Sequence, residues 1–391
     1  MKGRIKLPSI GVPVADYGAD EAAMVAFRRR GTERALALGN RGPIRFGADG
    51  RLDPAILDAY RQHGFYVFTG VLAQEELDDI ERDVADMLER APVEKGARQD
   101  RYGRDALGQG LEARTVIWTK PLADEVGGTR AAHGRYPVKM TEPAAPDGAP
   151  AHVVQLILGS LQFSDACLRL YGHPDLLRIA EAVNGEDFAP FNEAVWIKHA
   201  GLGGSVAWHQ DGWTHWDDPD LDEGTHGFNF MAQLYGCNAA NGLWVVPGSH
   251  RRGRVDIRRL VEDAGSDRLP EAVPLICDPG DVAMCNRQAV HGSYANTSDE
   301  PRVTINFGFH RRSSVLNVTS GGVHSAVATY DEAYVRHRSR LIPYAIDARR
   351  QRYPHETSYT YQPLAAEADR YRWGPQARTD IRDYNLMDLG I

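Results

Sequence analysis

The chain has 391 residues, 42% hydrophobic and 25% charged, a composition that allows a sizeable core and excludes disordered and fibrous classes. A formal charge of -8 removes any general electrostatic reason to expect nucleic acid as a partner. Cys167, Cys237, Cys277 and Cys285 are scattered without a C-x-x-C pair, which argues against a zinc knuckle and a disulfide framework.

The N-terminal run MKGRIKLPSIGVPVADYG lacks the long apolar core of a signal peptide, and no stretch has the apolar length of a membrane span. The expectation is a soluble, cytoplasmic protein with no membrane partner. Residues 1–52 read as an N-terminal arm, with a helix over Glu21 to Leu38 that carries Arg28, Arg29 and Arg30 on a solvated face. From Asp53 a helix, PAILDAYRQHG, ends near Gly64; an aromatic strand, FYVFTGVL, follows, and then an amphipathic helix, AQEELDDIERDVADMLER. Residues 92–150 are rich in Gly, Pro and charge around one strand-like run, Arg114 to Trp118, which marks a functional loop or an insertion.

HVVQLILGSLQFSDACLRLYG is helical in its later half, and HPDLLRIAEAVNG is a helix with Pro174 in its first turn and Gly185 near its end. Beyond it strand follows strand: Asn192 to Lys198, SVAWHQD, FNFMAQLYG and NGLWVVPGSH. After a polar helix near Arg258 to Ala264 come AVPLICDPGDVAMCN, AVHGSYANTS and PRVTINFGFHRR. Short strands separated by Gly, Pro and Asn predict a mainly β domain of jelly-roll type with flanking helices. This domain spans 53–312, with 92–150 as an insertion. Residues 313–391, with a helix near Tyr330 to Leu341 and a long polar tail, are expected to cover the barrel mouth or to make a homo-oligomer contact.

His209 and Asp211 lie two apart at the end of a strand, so they project from one face. One imidazole and one carboxylate are two thirds of the facial triad that holds non-haem Fe(II) with positions left open. His-x-Asp is a weak pattern: with 14 histidines about one match is expected by chance, and His173 with Asp175 and His215 with Asp217 also fit it. The first of these sits at a helix start, where Asp175 favours free backbone amides. The second lies in the acidic, loop-like run WDDPDLDEGTH. For a third ligand the downstream histidines are His226, His250, His291, His310 and His324. His291 follows a hairpin that starts at DPGD and can return across a barrel; His250 follows a Pro-Gly-Ser turn and is expected to bond backbone, and His310 precedes two arginines.

Arg302 lies on the next strand with Thr304 on the same face. A guanidinium fork binds a carboxylate bidentately and the hydroxyl adds a hydrogen bond. A metal triad beside a carboxylate receptor points to a 2-oxo acid cosubstrate.

WHQDGWTHW, NGLWVVPGSH, PGDVAMCNRQAVHGSYANTS and PRVTINFG together resemble the phytanoyl-CoA dioxygenase family of Fe(II)/2-oxoglutarate-dependent oxygenases, and the helix-strand-helix opening at AILDAYRQHG is similar to that family's N-terminal part. The resemblance implies a double-stranded β-helix of cupin-like type. It implies that His209, Asp211 and His291 bind iron and that Arg302 receives the distal carboxylate of 2-oxoglutarate, with O2 as the second cosubstrate. Gln210 and Ser293 stand where the family surrounds the cosubstrate, and Asn192, Trp196 and Lys198 are carried as further cosubstrate contacts on a strand whose register is open. Related halogenases have a small residue in place of the carboxylate ligand, so Asp211 favours oxygen transfer over chlorination.

The expected activity is hydroxylation of an unactivated C–H bond in a small-molecule substrate, with succinate and CO2 released. Desaturation, epoxidation or cyclisation at the same site is the alternative reaction. A non-catalytic small-molecule-binding barrel and a metal-dependent hydrolase or isomerase are the rivals from other classes. Trp208, Trp213 and Trp216 are read either as cavity wall or as barrel core. The acidic loop Asp217 to His226 is placed at the entrance, where Asp217, Asp218, Asp220, Asp222 and Glu223 would disfavour an anionic substrate. Pocket shape is expected to come from 92–150 and 313–391.

Overall fold

The computed structural model describes residues 15–322 and 325–391. Twelve strands make two sheets. The large sheet holds β1 (Arg41–Gly42), β2 (Phe65–Phe68), β3 (Val116–Thr119), β4 (Val153–Leu158), β5 (Ala189–Lys198), β7 (Phe228–Gln233), β10 (Val282–Asn286) and β12 (Arg302–His310), in the order β1-β2-β10-β7-β12-β5-β4-β3. The small sheet holds β6 (Val206–His209), β8 (Trp244–Val245), β9 (Val273–Pro274) and β11 (His291–Ser293), in the order β6-β11-β8-β9. All pairings are antiparallel except β1 with β2. The chain forms the expected double-stranded β-helix, and the two sheets face each other across a cavity lined from both.

Strand periodicity explains which face is which. On β12, Val303, Ile305, Phe307 and Phe309 point into the main core, while Arg302, Thr304 and Asn306 line the cavity. On β7, Phe228, Phe230 and Ala232 take the core side, and Asn229, Met231 and Gln233 the cavity side. The core side is covered by helices α2 (Pro54–His63), α3 (Gln74–Glu89), α4 (Asp165–Tyr171) and α5 (Pro174–Asn184). Asp53 caps α2 by accepting from the Ala55 amide at 2.9 Å, and Gly64 ends it at φ 80°, a conformation glycine reaches without a Cβ penalty. Leu77, Ile80, Val84 and Met87 form the buried stripe of α3.

The expected N-terminal helix is α1 (Glu21–Ala37), and it lies on the outside of the small sheet, with Phe27 stacked on Trp244 at 4.3 Å between ring centroids. Gly31 is what lets it approach: a Cβ there would stand 2.5 Å from the Trp244 ring. Gly31→Ala is therefore expected to destabilise the protein. Overpacking costs about 1–3 kcal/mol, which outweighs the roughly 1 kcal/mol that alanine gains in helix propensity. A denaturant midpoint at or above the parent's would contradict this packing.

After α6 (Ile257–Ala264) and the single turn α7 (Arg312–Val315), the C-terminal segment forms α8 (Glu332–Ser339) and α9 (Leu341–Arg352). It is folded down onto the helical layer. Arg349 bonds Glu76 at 2.8 Å, and Ala345 lies so close to Gly172 that a Cβ there would be 2.4 Å from its backbone. None of the described residues of 313–391 lines the cavity, so the expectation that this segment shapes the pocket is corrected. Its apolar residues, Leu341, Ile342, Tyr344 and Ala345, are buried in the main core instead. Among the described residues no helix is long and apolar enough to cross a membrane.

Candidate metal and cosubstrate site

β6 and β11 pair antiparallel with His209 directly opposite His291, and their imidazole centroids stand 4.1 Å apart. In each ring Nδ1 lies 2.8 Å from a backbone carbonyl, Ala207 for His209 and Ala289 for His291. A carbonyl only accepts, so Nδ1 carries the hydrogen and Nε2 presents its lone pair to the cavity. The Nε2 atoms lie 3.5 Å (His209) and 3.9 Å (His291) from the two carboxylate oxygens of Asp211. The three donor atoms fall within 4.8 Å of one another, close enough for one ion to gather them with small side-chain rotations. Burial pushes the His209 imidazole well below its usual range, helped by His291 and Arg135, and pushes His291 down to about 4. Both rings are neutral at neutral pH, as metal ligands must be.

Asp211 is held from several sides. Asn229 Nδ2 donates to its Oδ2 at 3.1 Å, and Arg287 donates from Nη2 to its backbone carbonyl at 3.1 Å, with Nε 3.8 Å from Oδ2. Arg287 is fully buried and stacks on Phe191 at 3.7 Å. Arg135, from the 92–150 segment, pairs through Nη2 with Asp211 Oδ1. Reading the sequence missed all three. Asn229 had a signal, a polar residue alternating with Phe228 and Phe230 on a strand; Arg135 had none.

Arg302 lies on the same cavity, buried, and no carboxylate pairs with it among the described residues. Burial pushes its guanidinium down to about 10, which leaves it charged at neutral pH. Its Nε, Ser293 Oγ, Asn192 Oδ1 and Asn229 Oδ1 are all buried without a hydrogen-bond partner. Such atoms cost stability unless something satisfies them, and all four residues line a single cavity of about 350 Å³. A polar, anionic ligand fits this inventory, and two imidazoles with a carboxylate fit a divalent metal.

The other sequence candidates are distributed unevenly. Thr304, Ser293, Trp196 and Asn192 line the cavity, Thr304 donating to Gln233 Oε1 at 2.9 Å. Gln210 does not: strand alternation turns it away from its neighbours, and its amide donates to the Gly253 carbonyl at 2.9 Å and accepts from the Val255 amide at 2.9 Å. Lys198 stands opposite Arg302 in register, but its Nζ is spent on the Tyr294 carbonyl outside the cavity lining. Trp208 is core, bonded to the Asp267 carbonyl at 2.7 Å, whereas Trp213 and Trp216 line a separate outer cleft.

His250 bonds the Arg61 carbonyl at 3.0 Å, as its turn context predicts, and His226 and His310 likewise face the carbonyls of Thr214 (2.6 Å) and Leu389 (2.7 Å). His173 is buried at the start of α5 and His215 lies against the Thr214 hydroxyl, 2.6 Å away; neither joins a metal-binding cluster among the described residues. His324 lies outside the described residues. The acidic loop contributes nothing to the cavity lining: Asp222 is paired with Arg311 at 2.9 Å, which corrects its placement at the entrance. Val126, Ala131, Ala132, Arg135 and Tyr136 of the 92–150 segment contribute to the lining instead.

Fold and site together define a jelly roll whose cavity holds a His-Asp-His cluster able to take a metal and a buried arginine without a carboxylate partner. Residues 60–304 match the sequence profile of phytanoyl-CoA dioxygenase (PhyH), and the chain belongs to that family. No curated protein sequence matches it. Among solved structures it is similar to EctD from S. alaskensis with 2-oxoglutarate and 5-hydroxyectoine, at 18% identity over 70% of this chain and 81% of that one, with a TM-score of 0.47. The non-heme alpha ketoglutarate dependent epimerase SnoN from nogalamycin biosynthesis is 18% identical over 66% and 82% of the two chains, TM-score 0.42. The carbocyclase SnoK from the same biosynthesis is 18% identical over 68% and 86%, TM-score 0.41.

Proposed function

We propose that this protein is an Fe(II)- and 2-oxoglutarate-dependent oxygenase that hydroxylates an unactivated C–H bond of a small molecule. The observation that carries the reading is the pairing, within one cavity, of the His209, Asp211 and His291 donor set with a buried Arg302 that has no carboxylate partner. Iron with 2-oxoglutarate and dioxygen supplies an oxidant able to take hydrogen from such a bond.

The protein's part is binding, orientation and exclusion of water. His209, Asp211 and His291 would hold the metal on one side and leave its other side to the cavity. Arg302 would receive the distal carboxylate of 2-oxoglutarate, and Ser293 would complete its hydrogen bonds. Asn229 and Arg287 keep Asp211 aimed. Ile117, Leu156, Leu158, Ala194 and Met231 supply an apolar wall against which a hydrocarbon part of the substrate packs. On this reading residues 53–312 are the catalytic unit, and 313–391 brace its helical side.

Succinate formation from 2-oxoglutarate under air with added Fe(II), stimulated by the substrate, is the direct test. Failure of 2-oxoglutarate to bind at all would favour the non-catalytic barrel or the hydrolase. Arg302→Gln is expected to raise the KM for 2-oxoglutarate by roughly 10- to 150-fold, the equivalent of about 1.5–3 kcal/mol for a charge-assisted hydrogen bond. An unchanged KM would remove Arg302 from the cosubstrate.

A further inference from the structure

Arg135 sits at the junction of two cavities. Its guanidinium lies between the Asp211 carboxylate in the inner cavity and the face of Trp213, 5.0 Å from the ring centroid, in the outer cleft. That cleft, of about 460 Å³, shares Ala132 and Arg135 with the inner cavity and is also lined by Trp216, Arg254, Arg258 and one carboxylate, Asp256, which caps α6 by accepting from the Arg259 amide at 3.1 Å. Arg254 and Arg258 are exposed, and neither has a carboxylate within ion-pair distance among the described residues. The backbone delivers Arg135 through three successive left-handed residues, Ala132 (φ 47°), His133 (φ 56°) and Gly134 (φ 74°). For two non-glycine residues that is costly and persists only where the surroundings enforce it. Here they do: Arg135 Nε donates to the Gln210 carbonyl at 3.1 Å, and Tyr136 packs on the His209 ring at 4.7 Å.

The charges around the triad do not balance. Arg287 and Arg302 are buried cations in or beside the cavity, Arg135 is a third with its side chain 8% exposed, and Asp211 is the one carboxylate among the cavity's described lining residues. A divalent metal and dianionic 2-oxoglutarate cancel each other, so loading the site leaves the surplus in place. The single Asp211 carboxylate would then be shared between the metal and Arg135, Arg287 and Asn229. A buried cation without a counter-charge is unfavourable, and the substrate is what remains to supply one.

We propose that Arg135 is the receptor for an anionic group, carboxylate or phosphoryl, on the substrate, with the reacting carbon in the inner cavity and the remainder extending into the arginine- and tryptophan-lined cleft. This rests on the oxygenase reading and names the substrate class of that site. It also reverses the expectation drawn from the acidic loop, because none of Asp217, Asp218, Asp220, Asp222 and Glu223 lines either cavity, whereas Arg135 lines both.

The test uses the full chain loaded with Zn(II), as a redox-inert stand-in, and saturated with 2-oxoglutarate so that probes cannot occupy the Arg302 subsite. Hexanoate, hexyl phosphate, hexanamide and hexylammonium are titrated, with binding followed by calorimetry and tryptophan fluorescence. At least one anion is expected to bind tenfold or more tightly than hexanamide and hexylammonium, and comparison of the two anions separates carboxylate from phosphoryl recognition. In Arg135→Gln, saturated with 2-oxoglutarate at the concentration its own titration requires, that preference should fall at least tenfold; Arg135→Lys should retain part of it. Equal binding of anion and amide, no binding of either anion, or a preference that survives Arg135→Gln would overturn the proposal and leave the oxygenase reading standing. Failure of the parent protein to bind 2-oxoglutarate would bring down both.

Discussion

Asp211→Asn is expected to lose divalent-metal affinity by more than the roughly 10- to 100-fold that removal of an outer hydrogen-bond partner costs a metal site, and to lose 2-oxoglutarate turnover with it. The substitution keeps the shape of the side chain but removes the only anionic ligand, and two neutral imidazoles bind a hard divalent ion poorly by themselves. Asn229→Ala, which removes the 3.1 Å bond to Asp211 Oδ2, should fall within that 10- to 100-fold range. Metal titration of the two variants, with thermal unfolding to show that both are folded, gives the comparison. Equal losses in both, or metal affinity retained in Asp211→Asn, would move the metal away from this triad.

The second large effect concerns stability. Arg338 of α8 and Asp388 near the C-terminus form a buried ion pair at 3.0 Å, and Arg338 also donates to the Phe191 carbonyl at 3.0 Å. Burial lifts the Asp388 carboxyl to about 7 even though Arg338 pulls the other way, against about 3.9 in an unfolded chain. Between about pH 4 and pH 7 the native protein therefore holds a proton that the unfolded chain has released, and this group's contribution to stability declines as pH rises through that window. Arg338→Met strips the carboxylate of its counter-charge, a loss of about 3–5 kcal/mol where the group is ionised. At pH 5 the carboxyl is already largely neutral, so the loss should be clearly smaller than at pH 8. Denaturant unfolding at the two pH values measures this, and an equal loss at both would show that the ion pair is not what holds the tail.

The pair explains why the C-terminal segment was hard to read. Its sequence is rich in Arg and Tyr and looks like a solvated tail. The arginines are paired instead with acids far away in the chain: Arg349 with Glu76, Arg352 with Asp79 and Arg378 with Asp165. Pairing partners 213 to 273 residues apart leave no local pattern. The same reason hid Arg135, whose significance comes from a carboxylate 76 positions further along the chain.

What local pattern does encode was legible. Period-2 alternation in FNFMAQ and RVTINFG assigned core and cavity faces, and capping and glycine signals placed the helix over Pro54–His63 within a residue or two. His209, Asp211, His291 and Arg302 stood out because strand geometry fixes which side chains share a face, and because the strand context separated His209 and Asp211 from the two other His-x-Asp matches. The same rule should have excluded Gln210, which alternates away from its two neighbours.

The sequence by itself thus determined the jelly roll and singled out His209, Asp211, His291 and Arg302, which the structure brings to one cavity; both depend on short-range periodicity and on residue type. Only the tertiary structure decided what surrounds them. It lined the cavity with an arginine rather than an acidic loop, left four buried polar atoms waiting for a ligand, and turned an apparent tail into the brace of the helical layer. Those features depend on charges and volumes brought together from distant parts of the chain, and no local preference records them.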